Sequence, residues 1–174
     1  MKIVAWNCQN LFYSDEQAPK HPLACSPERM RQVASVIEEL HADIYLLSEV
    51  GGTTSLKRLN EQFLNHQYRP YLIEGNSDRG IELGCLIHPQ FKYNYSYHSH
   101  KSHVSQNPQG DKEKTFSRDL IELRISPLGE VSPELIILFT HLKSQVDRVG
   151  NDPQGKNKRT QEMTAISELI TEIK

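Results

Sequence analysis

Glu49 closes the apolar run Asp43-Ile44-Tyr45-Leu46-Leu47-Ser48, and the pair Gly51-Gly52 follows it. A charge at the end of a run that reads as fully buried is costly unless it is paired or bound to a metal ion. Asn7 ends Lys2-Ile3-Val4-Ala5-Trp6 in the same way. His141 ends the apolar stretch in Phe139-Thr140-His141-Leu142, and Arg118 opens a strand in Phe116-Ser117-Arg118-Asp119. In α/β sheets ligands bind outside the carboxyl ends of strands, and Glu49, Asn7 and His141 meet that rule. The four groups offer a carboxylate for a hard cation, an amide, an imidazole and a guanidinium, a set suited to a phosphate ester. Mg²⁺ binds through one or two carboxylates plus substrate phosphate and keeps several waters. The cation, imidazole and guanidinium could then stabilise charge on phosphoryl oxygens.

Positioning these groups takes a folded core. The chain has 174 residues, enough for one domain that buries roughly 70% of its unfolded surface without disulfides. The three cysteines, Cys8, Cys25 and Cys85, are odd in number and lack metal-ligand spacing, so they read as reduced thiols in a cytoplasmic protein. The net charge of −2 gives no global basic field, so a nucleic-acid contact must come from a local patch. Before Asn7 the N-terminus has one lysine and four apolar residues, short of a secretory core of about 7–15 residues. No apolar run approaches the roughly 18 residues that read as a membrane span.

Residues 2–8 read as a buried strand and Gln9–Ser26 as a polar loop. Ser26 as N-cap, Pro27 at the first helical position and Glu28 in the first turn start a helix, with Met30, Val33, Ile37 and Leu40 as its inner stripe. Residues 43–49 form the second strand. Strand, helix, strand predicts a βαβ crossover that brings Asn7 and Glu49 to one edge. A second helix is expected over Thr54–Asn65, with Leu56, Leu59 and Phe63 inward. Short strands follow at 71–73 and 83–87, then a period-two strand at Tyr93, Tyr95 and Tyr97. Lys101–Thr115 reads as a polar loop. Phe116–Ile125 is a strand with Ile121, Leu123 and Ile125 on one face. Glu134–Leu142 is nearly continuously apolar and is expected to be a central strand covered on both faces. After a polar loop at 144–157, Lys158–Ile173 is a helix with Met163, Ile166, Leu169, Ile170 and Ile173 as its stripe.

At these residues the chain resembles the endonuclease/exonuclease/phosphatase (deoxyribonuclease-I-like) family of metal-dependent phosphoesterases. Trp6-Asn7-Cys8-Gln9-Asn10-Leu11-Phe12 is similar to the first strand of that family, whose asparagine lies beside the metal. Residues 42–50 resemble its metal-binding strand, with Ser48 where glutamine is usual. Residues 78–84, Phe116-Ser117-Arg118-Asp119, Phe139-Thr140-His141-Leu142-Lys143-Ser144 and Arg159–Gln161 follow in the family's order. The resemblance implies an incomplete four-layer α/β/β/α sandwich, with two mixed β-sheets packed face to face between outer helices, in one domain over residues 1–174. It implies Glu49 as ligand to Mg²⁺ (or Mn²⁺), Asn7 as support for the metal site, and His141 and Arg118 as stabilisers of charge on phosphorus.

The family continues with a Gly-Asp-x-Asn strand and a Ser-Asp-His segment, and neither motif occurs here. Those parts supply the Asp-His pair that activates water. The chain therefore resembles the first part of the fold, as a fragment of a longer hydrolase or a naturally truncated protein. It is expected to show little or no turnover. The implied substrates are nucleic acid or other phosphate esters; a nuclease or phosphodiesterase leads, with a phosphoinositide or other phosphomonoester phosphatase as the alternative. A rival reading is a non-catalytic chain that binds a partner or itself through uncovered apolar surface near Leu135–Phe139 and the 163–173 stripe.

Plainer readings stand beside each residue. Glu49 and Arg118 could be edge charges, Asn7 a turn former and His141 a hydrogen-bonded core histidine. His98, His100 and His103 match no common zinc spacing and read as part of a solvated loop. Lys101, Lys112 and Lys114 are interrupted by Asp111 and Glu113, which weakens a nucleic-acid patch. Gly51-Gly52 reads as a turn rather than a phosphate cradle.

Overall fold

The computed structural model describes residues 1–14, 24–107, 110–145 and 152–173. The loop predicted over 9–26 and the one over 144–157 lie partly outside the described residues. Strand β1 (Ile3–Leu11) runs parallel to β2 (Ile44–Val50), which is joined to it through helix α1 (Pro27–Leu40). The Ser26 hydroxyl accepts the Arg29 N–H, capping α1, and Met30, Val33, Ala34 and Ile37 are buried on its inner face. The helix ends at His41 in the left-handed conformation. Strand β4 (Glu82–Ile87) lies antiparallel to β2, and short β3 (Arg69–Tyr71) pairs with β4, giving the order β1-β2-β4-β3.

Alternation along β2 builds two core layers at once. Tyr45 and Leu47 point to the side of α1, packing with Met30, Val33, Ala34 and Ile37. Ile44 and Leu46 point the other way, with Cys85 and Ile87, against Leu123 and Ile125 of a second sheet. That sheet comprises β5 (Tyr93–Ser99), β8 (Leu120–Pro127) and β9 (Leu135–Thr140) in the order β5-β8-β9. Its outer face, through Leu120 and Leu138, packs on Ala165, Ile166 and Leu169 of helix α3 (Lys156–Ile173). The layers are therefore helix, sheet, sheet, helix. The first sheet is mixed, as expected. The second is antiparallel among its described strands, not mixed.

Other details differ from the sequence reading. Helix α2 starts earlier, at Gly52, and ends at Arg58; one π-helical turn, Leu59–Phe63, continues it. Asn60 in that turn is buried and satisfied by Tyr68, donating to its carbonyl and accepting its N–H. The segment read as a loop at 101–115 contains a hairpin, β6 (Val104–Gln106) with β7 (Lys112–Lys114). Polar strands carry no apolar period, so the hairpin left no signal in the sequence. Strand β9 is at the edge of its sheet and half-buried, and β8 is the central one. A continuous apolar run reports contact on both faces and is silent about the strand's hydrogen-bonded neighbours.

The stripe of α3 is also rotated. Glu162, Ala165 and Leu169 are its buried residues, whereas Met163 and Ile170 are 50% and 47% exposed. Glu162 lies outside the expected stripe, yet it is buried, with hydrogen bonds from Ser117 and Lys143 satisfying its carboxylate.

Candidate active site

Pairing directions bring four groups to one edge. Because β1 and β2 are parallel, Asn7 and Glu49 come to one edge. Asn7 does not end β1, which runs on to Leu11, but it is the last residue of the regular register, opposite Ser48. Because β8 and β9 are antiparallel, with Leu120 opposite Thr140, the loop before β8 meets the end of β9. Arg118 and His141 sit in those two places. Arg118 thus precedes its strand by two residues rather than opening it.

Glu49 occupies a bulge. On β2 it is the single residue between Ser48 and Val50, which pair with the consecutive Leu83 and Glu82 of β4. On β1 the three residues Cys8, Gln9 and Asn10 lie between the partners of Ser48 and Val50. Glu49, Gln9 and Asn10 have φ of 61°, 53° and 61°. Left-handed backbone at non-glycine residues is strained and persists where surroundings enforce it. Bulges re-aim a side chain out of the alternating pattern. The sequence reading made Glu49 the end of a regular strand; the bulge is what aims its carboxylate.

The carboxylate is held from β1. Asn7 Nδ2 donates to Glu49 Oε1 at 3.2 Å, and the Asn10 backbone N–H donates to Oε2 at 3.0 Å. Asn7 is itself fixed, its Oδ1 accepting the Gln9 N–H at 2.8 Å. The turn after β2 is tight. Gly51 N–H donates to the Leu11 carbonyl, and a Cβ on Gly51 would stand 2.4 Å from the Phe12 ring. Gly52 adopts φ of 76°. Gly51-Gly52 therefore serves the chain's exit from the strand.

From the second sheet, His141 Nε2 comes within 3.7 Å of Glu49 Oε1. This is beyond hydrogen-bond distance and becomes an ion pair when the ring is protonated. Burial pushes the His141 pKa below its usual value, Arg118 adds to this, and Glu49 and Glu162 oppose it. Arg118 is buried, and its Nη1 donates to the carbonyls of His141 at 3.3 Å and Leu142 at 3.1 Å. Burial lowers the Arg118 pKa, with Glu162 and Glu49 opposing. Its guanidinium remains charged in any accessible pH range. Arg118 Nε, His141 Nδ1 and Asn10 Oδ1 are buried without a hydrogen-bond partner among the described residues. Three unsatisfied polar atoms on residues of one corner are unusual, because buried polar groups are normally paired.

The structure thus brings together all four residues singled out in the sequence. Asn10 and Glu162 were missed. Asn10 stood in the quoted run Trp6–Phe12, and its backbone contribution carries no residue-type signal. Glu162 lies outside the apolar stripe by which the helix was read, and its partners Ser117 and Lys143 are distant in sequence. The three histidines do not converge: His100 Nε2 lies 2.9 Å from Glu122 Oε2, His103 Nδ1 bonds Thr115, and His98 bonds Ser96.

No family model and no curated protein matches the chain. Solved structures do. A functionally unknown conserved protein from Enterococcus faecalis V583 matches with a TM-score of 0.56 at 18% identity, covering 98% of this chain and 61% of that one. The endonuclease/exonuclease/phosphatase from Beutenbergia cavernae DSM 12333 matches with a TM-score of 0.54 at 16% identity, over 95% of this chain and 43% of that one. TDP2 from C. elegans aligns at a TM-score of 0.49 and 22% identity, over 83% of this chain and 38% of that one. The chain spans between 38% and 61% of the length of these three structures. The two matches with the higher TM-scores define an endonuclease/exonuclease/phosphatase-like fold. No helix among the described residues is long and apolar enough to cross a membrane.

Proposed function

We propose that this chain is the metal- and phosphate-facing part of a metal-dependent phosphoesterase, a nuclease or other phosphodiesterase in its leading form. The observation that carries the reading is the Glu49 carboxylate, aimed by a strained bulge, held by two donors from β1 and facing His141 from the opposite sheet. The donor set suits a hard cation: a carboxylate beside an amide residue, Asn10, whose buried oxygen has no partner among the described residues. Mg²⁺ and Mn²⁺ favour such oxygen ligands. Glu49 would hold the ion, which when bound supplies positive charge against phosphoryl oxygens. Asn7 and the Asn10 N–H keep both carboxylate oxygens oriented. Arg118 and His141 place positive charge and donor groups beside the same corner, where a phosphate ester would develop negative charge.

The Asp-His pair that the family resemblance assigns to water activation has no counterpart in this sequence. The chain alone is therefore proposed to bind the ion with little turnover. Titration with Mn²⁺, followed by water-proton relaxation, tests the site. Wild type is expected to bind, and Glu49→Gln to lose binding. Equal binding by both would remove Glu49 from the metal site. Rapid Mg²⁺-dependent cleavage of a phosphodiester by the chain would contradict the proposed division of labour. A phosphomonoester or phosphoinositide substrate is the alternative within this chemistry.

A second reading, a non-catalytic self-associating chain, is favoured by the exposure of Met163 and Ile170, seven positions apart on α3. Residues at that spacing share a helix face.

A further inference from the structure

Glu162 is 1% exposed and lies on α3, an element that carries none of the four groups of the site. A buried carboxylate is retained only with several partners, and its partners here are specific. Oε1 accepts the Ser117 N–H at 2.8 Å and the Ser117 hydroxyl at 2.6 Å. Oε2 accepts the Lys143 N–H at 2.8 Å. Ser117 immediately precedes Arg118, and Lys143 is two residues after His141. One carboxylate therefore ties the loop that carries Arg118 to the loop that carries His141. The same loops meet again where Arg118 donates to the carbonyls of residues 141 and 142. Of these two loops Asn76 holds the first alone, its N–H donating to the Arg118 carbonyl and its Nδ2 to the carbonyls of Phe116 and, outside both loops, Lys101.

We infer that Glu162 is the positioning residue of the Arg118–His141 pair, fixing the two groups relative to each other through Ser117 and Lys143. This rests on the reading of that pair as the phosphate-facing part of the site. Glu162→Gln is informative because an amide has one acceptor oxygen, and its NH₂ can only donate. The variant can satisfy the Ser117 N–H or the Lys143 N–H, not both.

The test uses nuclear magnetic resonance on the full 174-residue chain. In Glu162→Gln, hydrogen exchange at the Ser117 or Lys143 amide is expected to accelerate on the order of tenfold to a hundredfold, as for loss of a bond to a charged group. The Arg118 Nε–H and His141 ring signals should shift, and the Leu46 and Leu47 amides should not. Asn76→Ala is expected to move the Arg118 signals while Lys143 keeps its protection. If Arg118 and His141 side-chain signals in Glu162→Gln match wild type, Glu162 merely anchors the helix and the inference falls. Should Glu162→Gln fail to fold, Ser117→Ala removes one of the three bonds, and unchanged Arg118 signals there would overturn it equally. Mn²⁺ binding is expected to survive in the variant. Loss of Mn²⁺ binding in wild type would defeat the metal-site reading and leave this result standing.

Discussion

Glu49 and His141 meet across two different β-sheets, with Oε1 and Nε2 3.7 Å apart. Neither sheet alone contains the site. The packing of Ile44, Leu46, Cys85 and Ile87 on Leu123 and Ile125 sets the sheet separation and so brings the carboxylate near the imidazole.

Asn7 holds the carboxylate from outside the expected coordination sphere. Asn7→Ala deletes the bond to Glu49 Oε1 and the support from the Gln9 N–H. Loss of a partner that orients a metal ligand weakens metal binding by about 10–100-fold. That is the expected change in Mn²⁺ affinity, with the circular-dichroism spectrum unchanged. Wild-type affinity would show that the Asn10 N–H suffices.

Gly51 tests whether the turn after β2 shapes the site. Its backbone is in an ordinary negative-φ conformation, so the demand is for space: a Cβ would meet the Phe12 ring and its Cα at 2.8 Å or less. Gly51→Ala is expected to cost about 1–3 kcal/mol as overpacking and to weaken Mn²⁺ binding by displacing the bulge. Chemical denaturation measures the first, and titration the second.

Glu82 gives a pH signature. Burial raises its pKa above the ordinary 4.5, the Gly75 N–H it accepts opposes this, and Glu74 and Asp119 add to the rise. Between 4.5 and the raised native value the native state holds more protons than the unfolded chain. The stability contributed by this group therefore falls as pH rises through that window, and the penalty vanishes below it. Glu82→Gln is neutral at every pH and can keep the Gly75 bond through its amide oxygen. It is expected to be more stable than wild type at about pH 7 and equal to it at about pH 4. Equal denaturation midpoints at both pH values would show that the carboxylate is fully compensated.

Self-association through α3 is expected to depend on Met163 and Ile170. Sedimentation velocity at rising concentration should show association in wild type, reduced in Met163→Glu/Ile170→Glu. Both side chains are about half exposed, so the exchange is expected to change stability by no more than about 0.5 kcal/mol. A concentration-independent monomer in wild type would remove the non-catalytic reading.

Local signals fixed what depends on near neighbours. The Ser26-Pro27 start of α1 and its stripe were legible, because caps and periodicity act within one or two turns, and the strand-helix-strand order foretold the parallel β1–β2 pair. Long-range pairing decided the rest. The bulge that rotates Glu49 exists because three residues of β1 face one of β2, a mismatch that neither strand shows alone. The edge position of β9 follows from which strands hydrogen-bond, and an apolar run does not encode this. Glu162 carries no local signal of burial, because its partners Ser117 and Lys143 are 45 and 19 positions away. Residue types supplied the candidate groups, and tertiary contacts over such separations determined which side chains were buried, satisfied and aimed.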